Sequence, residues 1–392
     1  MIASTESAFG VRSGSPAALG TALAAIGRNR PIVVDELMGA PLVLRHRDVS
    51  AALRNPATFG TQFYGMGPMS DSMIALDGPE HARRRRIHNR FFGAAASAHY
   101  ARIVEPVAER AFGDLAGRDG SVDLMGDVLD RYPMTVFMAL LGVPDDLGPQ
   151  GLAWVRAIMA WLAAPMDPTL VTPGTTAFAE LHAYTTALVE KHRARPGDNL
   201  LGQIIQAHVD EGGYTPEAVT VAVIGLLLGG FETTVQLLAA TITSLLLHPG
   251  QLEQVRADAS LMNPAFDEAL RWAAPTAGLY RLVRHDTEIA GTPVAAGSMV
   301  YLAIAAAHFD EAAYPQPGTF SLDRTGAHLG FGAGPHYCVG APLARLEARA
   351  ALSVLLTACP RLRLDPSADL SFAYAARGFP QHGTESLRVL TT

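Results

Sequence analysis

The sequence predicts a single large, mainly α domain with a small β region. Three observations point there: apolar residues recur at helical spacing through most of the chain, strand-like runs are few and short, and no Pro/Gly/Ser-rich stretch is long enough to link two domains. At 392 residues and 49% hydrophobic content the chain can bury a large core, although length alone permits one domain or two. Residues 1–30 are expected to form a loosely ordered N-terminal segment.

In chain order, 31–34 and 41–44 read as an early hairpin. Helical spacing then covers 101–115, 128–141, 176–194, 200–209 and 249–259 between Gly or Pro breaks, and short strands follow at 287–289, 299–303 and 387–390. The stretches 59–80, 161–175 and 306–340 read as irregular, and loops of that length in a compact chain are usually functional. From 218 to 247 the sole charged residue is Glu232. Thirty helical residues at about 1.5 Å each could cross a bilayer. An isolated acid mid-span is costly in lipid, however, and Thr233, Thr234, Gln236, Thr241, Thr243 and Ser244 follow it, so a buried central helix is the better reading.

Composition removes several function classes. Two cysteines, Cys338 and Cys359, cannot supply a four-cysteine metal site or staple a secreted scaffold. A formal charge of −7 without a long basic tract argues against nucleic acid. Residues 1–20 lack the charged head and apolar run of a secretory signal, so a cytoplasmic protein without a membrane anchor is expected.

Two segments carry chemistry. In the first, Gly330, Gly332, Gly334 and Gly340 let the backbone turn sharply and approach a bound group, and Pro342 suits the first turn of a helix just after Cys338. A helix N-terminus favours the thiolate, the form that ligates metal. A cysteine taken alone is more often a small buried hydrophobe, which is the reading kept for Cys359. In the second segment, Gly225, Gly229 and Thr233 fall at i, i+4 and i+8, leaving one helix face with small groups only. Glycine in a helix costs about 1 kcal/mol relative to alanine. Something large and flat, or a closely packed helix, should lie against that face; spacing does not choose between them.

Phe331, Gly334, Cys338 and Gly340 together fit the pattern Phe-x-x-Gly-x-x-x-Cys-x-Gly, and here the sequence resembles the cytochrome P450 family in its soluble bacterial form. The run from Gly229 through Gly230, Phe231 and Glu232 to Thr233 and Thr234 is similar to that family's central-helix signature. The resemblance implies a cytochrome P450-like domain over 1–392 that binds haem b, with Cys338 as the proximal thiolate in a loop shaped by Phe331, Gly332 and Gly340. It implies that Gly229 lies on the distal haem face, and that Glu232 and Thr233 form the acid–alcohol pair that delivers protons for O2 activation. His336, the His81 and Arg85 of a His-x-x-x-Arg element, and Arg281 of an Arg-x-x-x-x-Asp segment ending at Asp286 would contact haem propionates. Because these elements must surround one haem, a single domain is favoured over two.

Glu268 and Arg271, one helical turn apart, would by themselves be a surface ion pair of small worth. In the family such a pair is buried and braces the core below the haem loop. Two departures touch that region: His308 stands where Asn is usual, and Thr319 where an Arg commonly joins the pair. How the brace is completed is therefore open. Arg83, Arg84 and Arg86 read as a solvated basic face, with docking of an acidic redox partner as a second use.

By family position a distal pocket would be lined by Phe63, Tyr64, Met66, Met69, Met73, Ile74, Gly225, Leu228, residues 274–279 including Leu279, and residues 376–379 including Phe379. Such a mostly apolar lining suits a hydrophobic small molecule, although methionines equally fill cores. The expected function is a haem-thiolate monooxygenase that inserts one oxygen atom of O2 into an apolar substrate by hydroxylation or epoxidation, with tailoring of a secondary metabolite as one setting. Electrons would come from NAD(P)H through a separate ferredoxin and ferredoxin reductase. The rivals are a haem-thiolate peroxygenase or oxidative coupling enzyme, and a haem-binding sensor without turnover. Glu232 and Thr233 speak against the last, since a sensor needs no proton relay.

Overall fold

The computed structural model describes all residues except 1, 3, 66–68, 70–71, 144–147, 165–166 and 196. Its helices are α1 (Ala18–Asn29), α2 (His46–Arg54), α3 (Gly78–Phe92), α4 (Ala94–Gly113), α5 (Tyr132–Leu141), α6 (Gly148–Ala163), α7 (Pro168–Ala194), α8 (Leu200–Asp210), α9 (Pro216–Gly230), α10 (Glu232–Leu247), α11 (Pro249–Ala257), α12 (Met262–Trp272), the one-turn α13 (Ile304–Ala307) and α14 (Ala341–Ala358). A six-stranded mixed sheet runs β1 (Ser4–Thr5), β2 (Ile32–Asp35), β3 (Ala40–Val43), β9 (Met299–Leu302), β6 (Leu279–Val283), β4 (Phe59–Gly60). Smaller sheets join β10 (Arg363–Leu364), β13 (Arg388–Leu390) and β5 (Ser121–Asp123), pair β11 (Phe372–Tyr374) with β12 (His382–Thr384), and pair β7 (Thr287–Ile289) with β8 (Thr292–Val294).

Local chemistry sets the helix starts. Thr215 caps α9 by accepting the Ala218 N–H at 3.0 Å, and Asn199 caps α8 by accepting that of Gly202 at 2.9 Å. Of the stretch 161–175, expected to be irregular, 161–163 close α6 and 168–175 lie in α7, which Asp167 caps and which continues through Pro173 and Gly174. Gly174 is a packing site, since a Cβ there would fall 2.3 Å from Trp161 Cβ on α6. Among the described residues of 1–30, the segment is docked where a loosely ordered one was expected. Leu19 and Leu23 of α1 are buried, Gly20 lies flush against the Phe309 ring, and Phe9 packs edge-on to Tyr301 and Tyr374 at 5.5 and 4.8 Å. The apolar residues among the alanines and serines suffice to dock the segment.

The most apolar stretch, Pro216–Leu247, is long enough to span a bilayer, yet 61% of its most apolar window is buried inside the molecule. Rather than one helix it is two, α9 and α10, meeting at Phe231 with φ −84° and ψ −78°. Two of its buried polar side chains bond inside the protein. Thr241 donates to Leu237 O at 2.8 Å, while Gln236 Oε1 accepts the Thr384 N–H at 3.1 Å across to β12. A side chain at Gly383 would collide with that amide, its Cβ falling 1.8 Å from Gln236 Oε1.

Burial also sets an acid limit. His208 on α8 is buried with neither ring nitrogen hydrogen-bonded among the described residues, and His382 on β12 has only Ala273 O at 3.3 Å. Burial in both cases lowers the imidazole pKa to about 4. The unfolded histidines titrate near ~6.5, so between there and about 4 the unfolded chain binds protons that the folded chain refuses, and stability falls as pH falls through that window. Urea unfolding at pH 7 and pH 4.5 should show a loss of roughly 2–3 kcal/mol from each histidine. In His208→Leu the loss on acidification should be smaller by that amount; an identical loss would show that His208 does not set the limit.

Candidate active site

The cysteine loop is held by its own backbone. The Cys338 N–H donates to Phe331 O at 2.9 Å, and α14 begins three residues on, with Pro342 in its first turn. Burial pushes the Cys338 thiol above its ordinary pKa, although the N–H groups of Gly340 and Ala341 and the charges of Arg85 and Arg345 act the other way. The N–H groups expected at a helix start are there, yet burial outweighs them, and a metal cation at sulfur would reverse the balance. The glycines divide by task. Gly334 has φ +71° and no room for a Cβ, which would lie 2.8 Å from Arg54 Cα and Leu53 O. Its close approach is thus to α2 and not to a bound group. A Cβ at Gly340 would sit 3.9 Å from Cys338 Sγ, so glycine keeps the space beside sulfur clear. The Phe331 ring is covered by the Arg345 guanidinium at 4.8 Å.

Arg85 and His81 leave α3 on the same side but do different things. Arg85 Nη1 donates to Tyr337 O at 2.5 Å and to Pro335 O at 3.4 Å, clamping the cysteine loop. His81 is buried, its Nε2 has no hydrogen-bond partner among the described residues, and its ring lies 4.2 Å from that of His336. Burial and the positive charge of Arg85 lower the His81 pKa to about 4. Arg281, buried on β6, donates to Tyr280 O at 2.7 Å. His336 Nε2 meets Asp77 Oδ1 at 2.8 Å, and Asp77 also accepts Thr61 N–H at 2.9 Å and Arg284 Nη2 at 2.6 Å. Burial would raise the Asp77 carboxyl, but these partners outweigh it and hold it at about 2. The sequence reading missed Asp77, Thr61 and Arg284. Asp77 stands four residues before His81 and was within reach; Asp286, which accepts the Ala296 N–H at 2.9 Å, serves the β7–β8 hairpin instead.

Glu232 and Thr233, expected to act as a pair, are engaged differently. Thr233 Oγ1 donates back to Gly229 O at 2.5 Å, and Gly229 and Gly230 have nothing within 4 Å of where a Cβ would be. Glu232 is buried and accepts Arg377 Nε at 2.7 Å and Gln236 Nε2 at 3.2 Å. Burial raises its pKa, opposed first by Arg377. No local spacing could have announced Arg377, which lies 145 residues away.

The expected pocket residues are partly gathered. Phe63 packs on Tyr64 at 4.2 Å and on Tyr280 at 5.7 Å, and Phe379 stacks on Tyr280 at 5.7 Å. Met69 Cε lies 3.5 Å from the Cβ position of Gly225. Leu279 and Met73 are half-buried, Ile74 is exposed, and Leu228 is buried in the main core. Met66 lies outside the described residues.

Below the loop, Glu268 and Arg271 form a buried bidentate pair with both bonds at 2.8 Å. Arg271 also donates to His308 O at 3.0 Å, Pro317 O at 2.8 Å and Thr319 O at 3.1 Å, so all five guanidinium N–H groups are used. The arginine missing at Thr319 is supplied by Arg324, whose Nε reaches Glu268 Oε1 at 3.1 Å while Nη2 reaches Thr319 O at 3.0 Å. His308 accepts the Leu329 N–H on Nε2 at 2.8 Å and so ties α13 to the start of the cysteine loop. A surface crevice of about 590 Å³ between α1, α2 and α13 shares no lining residue with any of these groups.

With this geometry in place, comparison with known proteins is direct. Residues 28–362 match the family model "Cytochrome P450". The chain is 38% identical over 386 residues to C-19 steroid 1alpha-hydroxylase of Sorangium cellulosum strain So ce56, covering 97% of this chain and 98% of that protein. It is 36% identical over 303 residues to cytochrome P450 monooxygenase PikC of Streptomyces venezuelae, covering 76% and 71%. The solved structure of Sorangium cellulosum So Ce56 cytochrome P450 260B1 superposes with a TM-score of 0.94 at 38% identity, covering 100% of both chains. The chain belongs to the cytochrome P450 family, whose members here are named monooxygenases and hydroxylases. It is accordingly an oxidoreductase that uses haem, and its own residues fit that group: a half-buried thiol at a helix start, a buried imidazole nitrogen on His81 without a partner among the described residues, and an open glycine face beside Thr233.

Proposed function

We propose that the protein hydroxylates a rigid, apolar, steroid-like molecule with O2, holding haem b through Cys338 and drawing electrons from NAD(P)H by way of a ferredoxin and its reductase in the cytoplasm. The observation that carries this reading is the Thr233 hydroxyl bonded to Gly229 O beside two glycines whose side-chain positions are open. Haem, when bound, supplies electron acceptance and the activation of O2. The chain's residues do the rest. His81 and Arg281 offer buried donors to the propionates and His336 a half-buried one, and Arg85 fixes the loop that carries the thiol. Thr233 presents a hydroxyl that can pass a proton, with Glu232 as the neighbouring carboxyl source. The aromatic group of Phe63, Tyr64, Tyr280 and Phe379 favours a flat apolar substrate. Similarity to a steroid hydroxylase along nearly the whole chain supports the substrate class.

The test is reconstitution with a ferredoxin, its reductase, NADPH and a panel of steroids. A binder should move the ferric haem from low to high spin and yield a hydroxylated product. Thr233→Ala should keep the spin shift while product falls by roughly tenfold or more and peroxide is released instead. Turnover driven by peroxide alone and indifferent to Thr233→Ala would favour a peroxygenase.

A further inference from the structure

The cation over Phe331 is held from outside the cysteine loop. Arg345, in the second turn of α14, donates from Nε and Nη2 to Asp267 Oδ1 of α12 at 3.1 and 2.8 Å. His328 serves the same oxygen. Its Nδ1 accepts the Gly330 N–H at 3.0 Å, so its ring proton sits on Nε2 and is donated to Asp267 Oδ1 at 3.2 Å. Side-chain exposure is 29% at Arg345 and 40% at Asp267, which puts the pair at the edge of the protein with a ring beneath the cation. Phe331 is packed in turn by Phe266, His328 and Tyr337, with ring centroids at 6.1, 5.7 and 6.1 Å.

The charges of Arg85 and Arg345 both bear on the Cys338 sulfur, and the two arginines differ in what offsets them. Arg85 bonds to the Pro335 and Tyr337 carbonyls and to the Asn89 side chain, all uncharged, and has no carboxylate partner among the described residues. Arg345 has Asp267. We propose that the Arg345–Asp267 pair sets how readily the haem held at Cys338 takes up an electron, with Arg345 favouring uptake and Asp267 opposing it. Reduction places one electron from the reductant at the iron, so a cation nearby stabilises the reduced state and an anion nearby destabilises it. Phe331 is buried among rings rather than water, and each charge beside it acts more strongly there than in solvent. The inference rests on Cys338 as the haem ligand, proposed above, and not on the identity of the substrate.

The test is a spectroelectrochemical titration of the substrate-free holoenzyme with dithionite, which reads the ferric–ferrous equilibrium without turnover. Asp267→Asn should move it about threefold or more toward ferrous, and Arg345→Met by a comparable factor toward ferric. The double variant should fall between the two, and Asp267→Glu, which keeps the charge, should stay within about twofold of the wild type. Shifts of the same sign in Asp267→Asn and Arg345→Met would show that the carboxylate only seats the arginine. No shift in either would show that the charges do not reach the iron, and each of these results overturns the inference. The CO difference spectrum of the same samples separates the two claims. A red-shifted thiolate band without opposed shifts counts against the ion pair alone, whereas opposed shifts without that band count against Cys338 as the ligand and leave the effect of the pair standing.

Discussion

Arg271→Met is expected to cost about 3–5 kcal/mol and to leave most of the protein insoluble or without haem. The substitution keeps the aliphatic volume but takes both fork bonds from the buried Glu268 carboxylate, leaving it Arg324 and the Ser321 N–H, and leaves the carbonyls of His308 and Pro317 without their donor. Losing the bidentate partner of a buried carboxylate is far worse than never having built the pair. Arg271→Lys should rescue little, because an ammonium has three donors and no fork to match a carboxylate bidentately. Arg324→Met should cost less, since Glu268 keeps Arg271 and the Arg324 side chain is already 13% exposed. Urea unfolding of whatever soluble protein is recovered, with the haem content of the same samples, measures all three. A loss below about 1 kcal/mol in Arg271→Met would mean that the network contributes shape and little energy.

Cys338→Ser should have the opposite profile, with little change in fold and a complete change in spectrum. The loop is fixed by backbone bonds, Cys338 N–H to Phe331 O and Arg85 to Tyr337 O, that a serine leaves intact. What serine removes is the thiolate, because its hydroxyl does not ionise near neutral pH even beside a cation. The reduced wild-type protein with CO should show the strongly red-shifted Soret band of thiolate ligation, and Cys338→Ser should lose it while far-ultraviolet circular dichroism stays the same. A wild-type band at the position typical of imidazole ligation would sink the assignment of Cys338.

What sequence alone could reach follows from how local each signal is. The cysteine loop and the Gly225, Gly229, Thr233 stripe were legible because their residues lie within a few turns of one another. Glu268 and Arg271 were legible as a pair, yet the third member, Arg324, was not, because its partner lies 56 residues away and nothing in the spacing links them. The same holds more strongly for Glu232 and Arg377, 145 residues apart. Proline and glycine misled where they were taken for punctuation: Pro173 and Gly174 sit inside α7, and the alanine-rich start hides a docked helix. Gly334 was correctly singled out but for the wrong neighbour, since what comes close is the backbone of α2.

The break at Phe231 falls where the middle of the chain carries a hydroxyl bond. The backbone joins Phe231 N–H to Leu227 O and Val235 N–H to Phe231 O on its two sides. Between them Gly229 O accepts the Thr233 hydroxyl, which rotation about a single side-chain torsion can release at a cost of about 1 kcal/mol. The most hydrophobic stretch of the sequence thus holds a movable proton donor, which can turn without unfolding any of it.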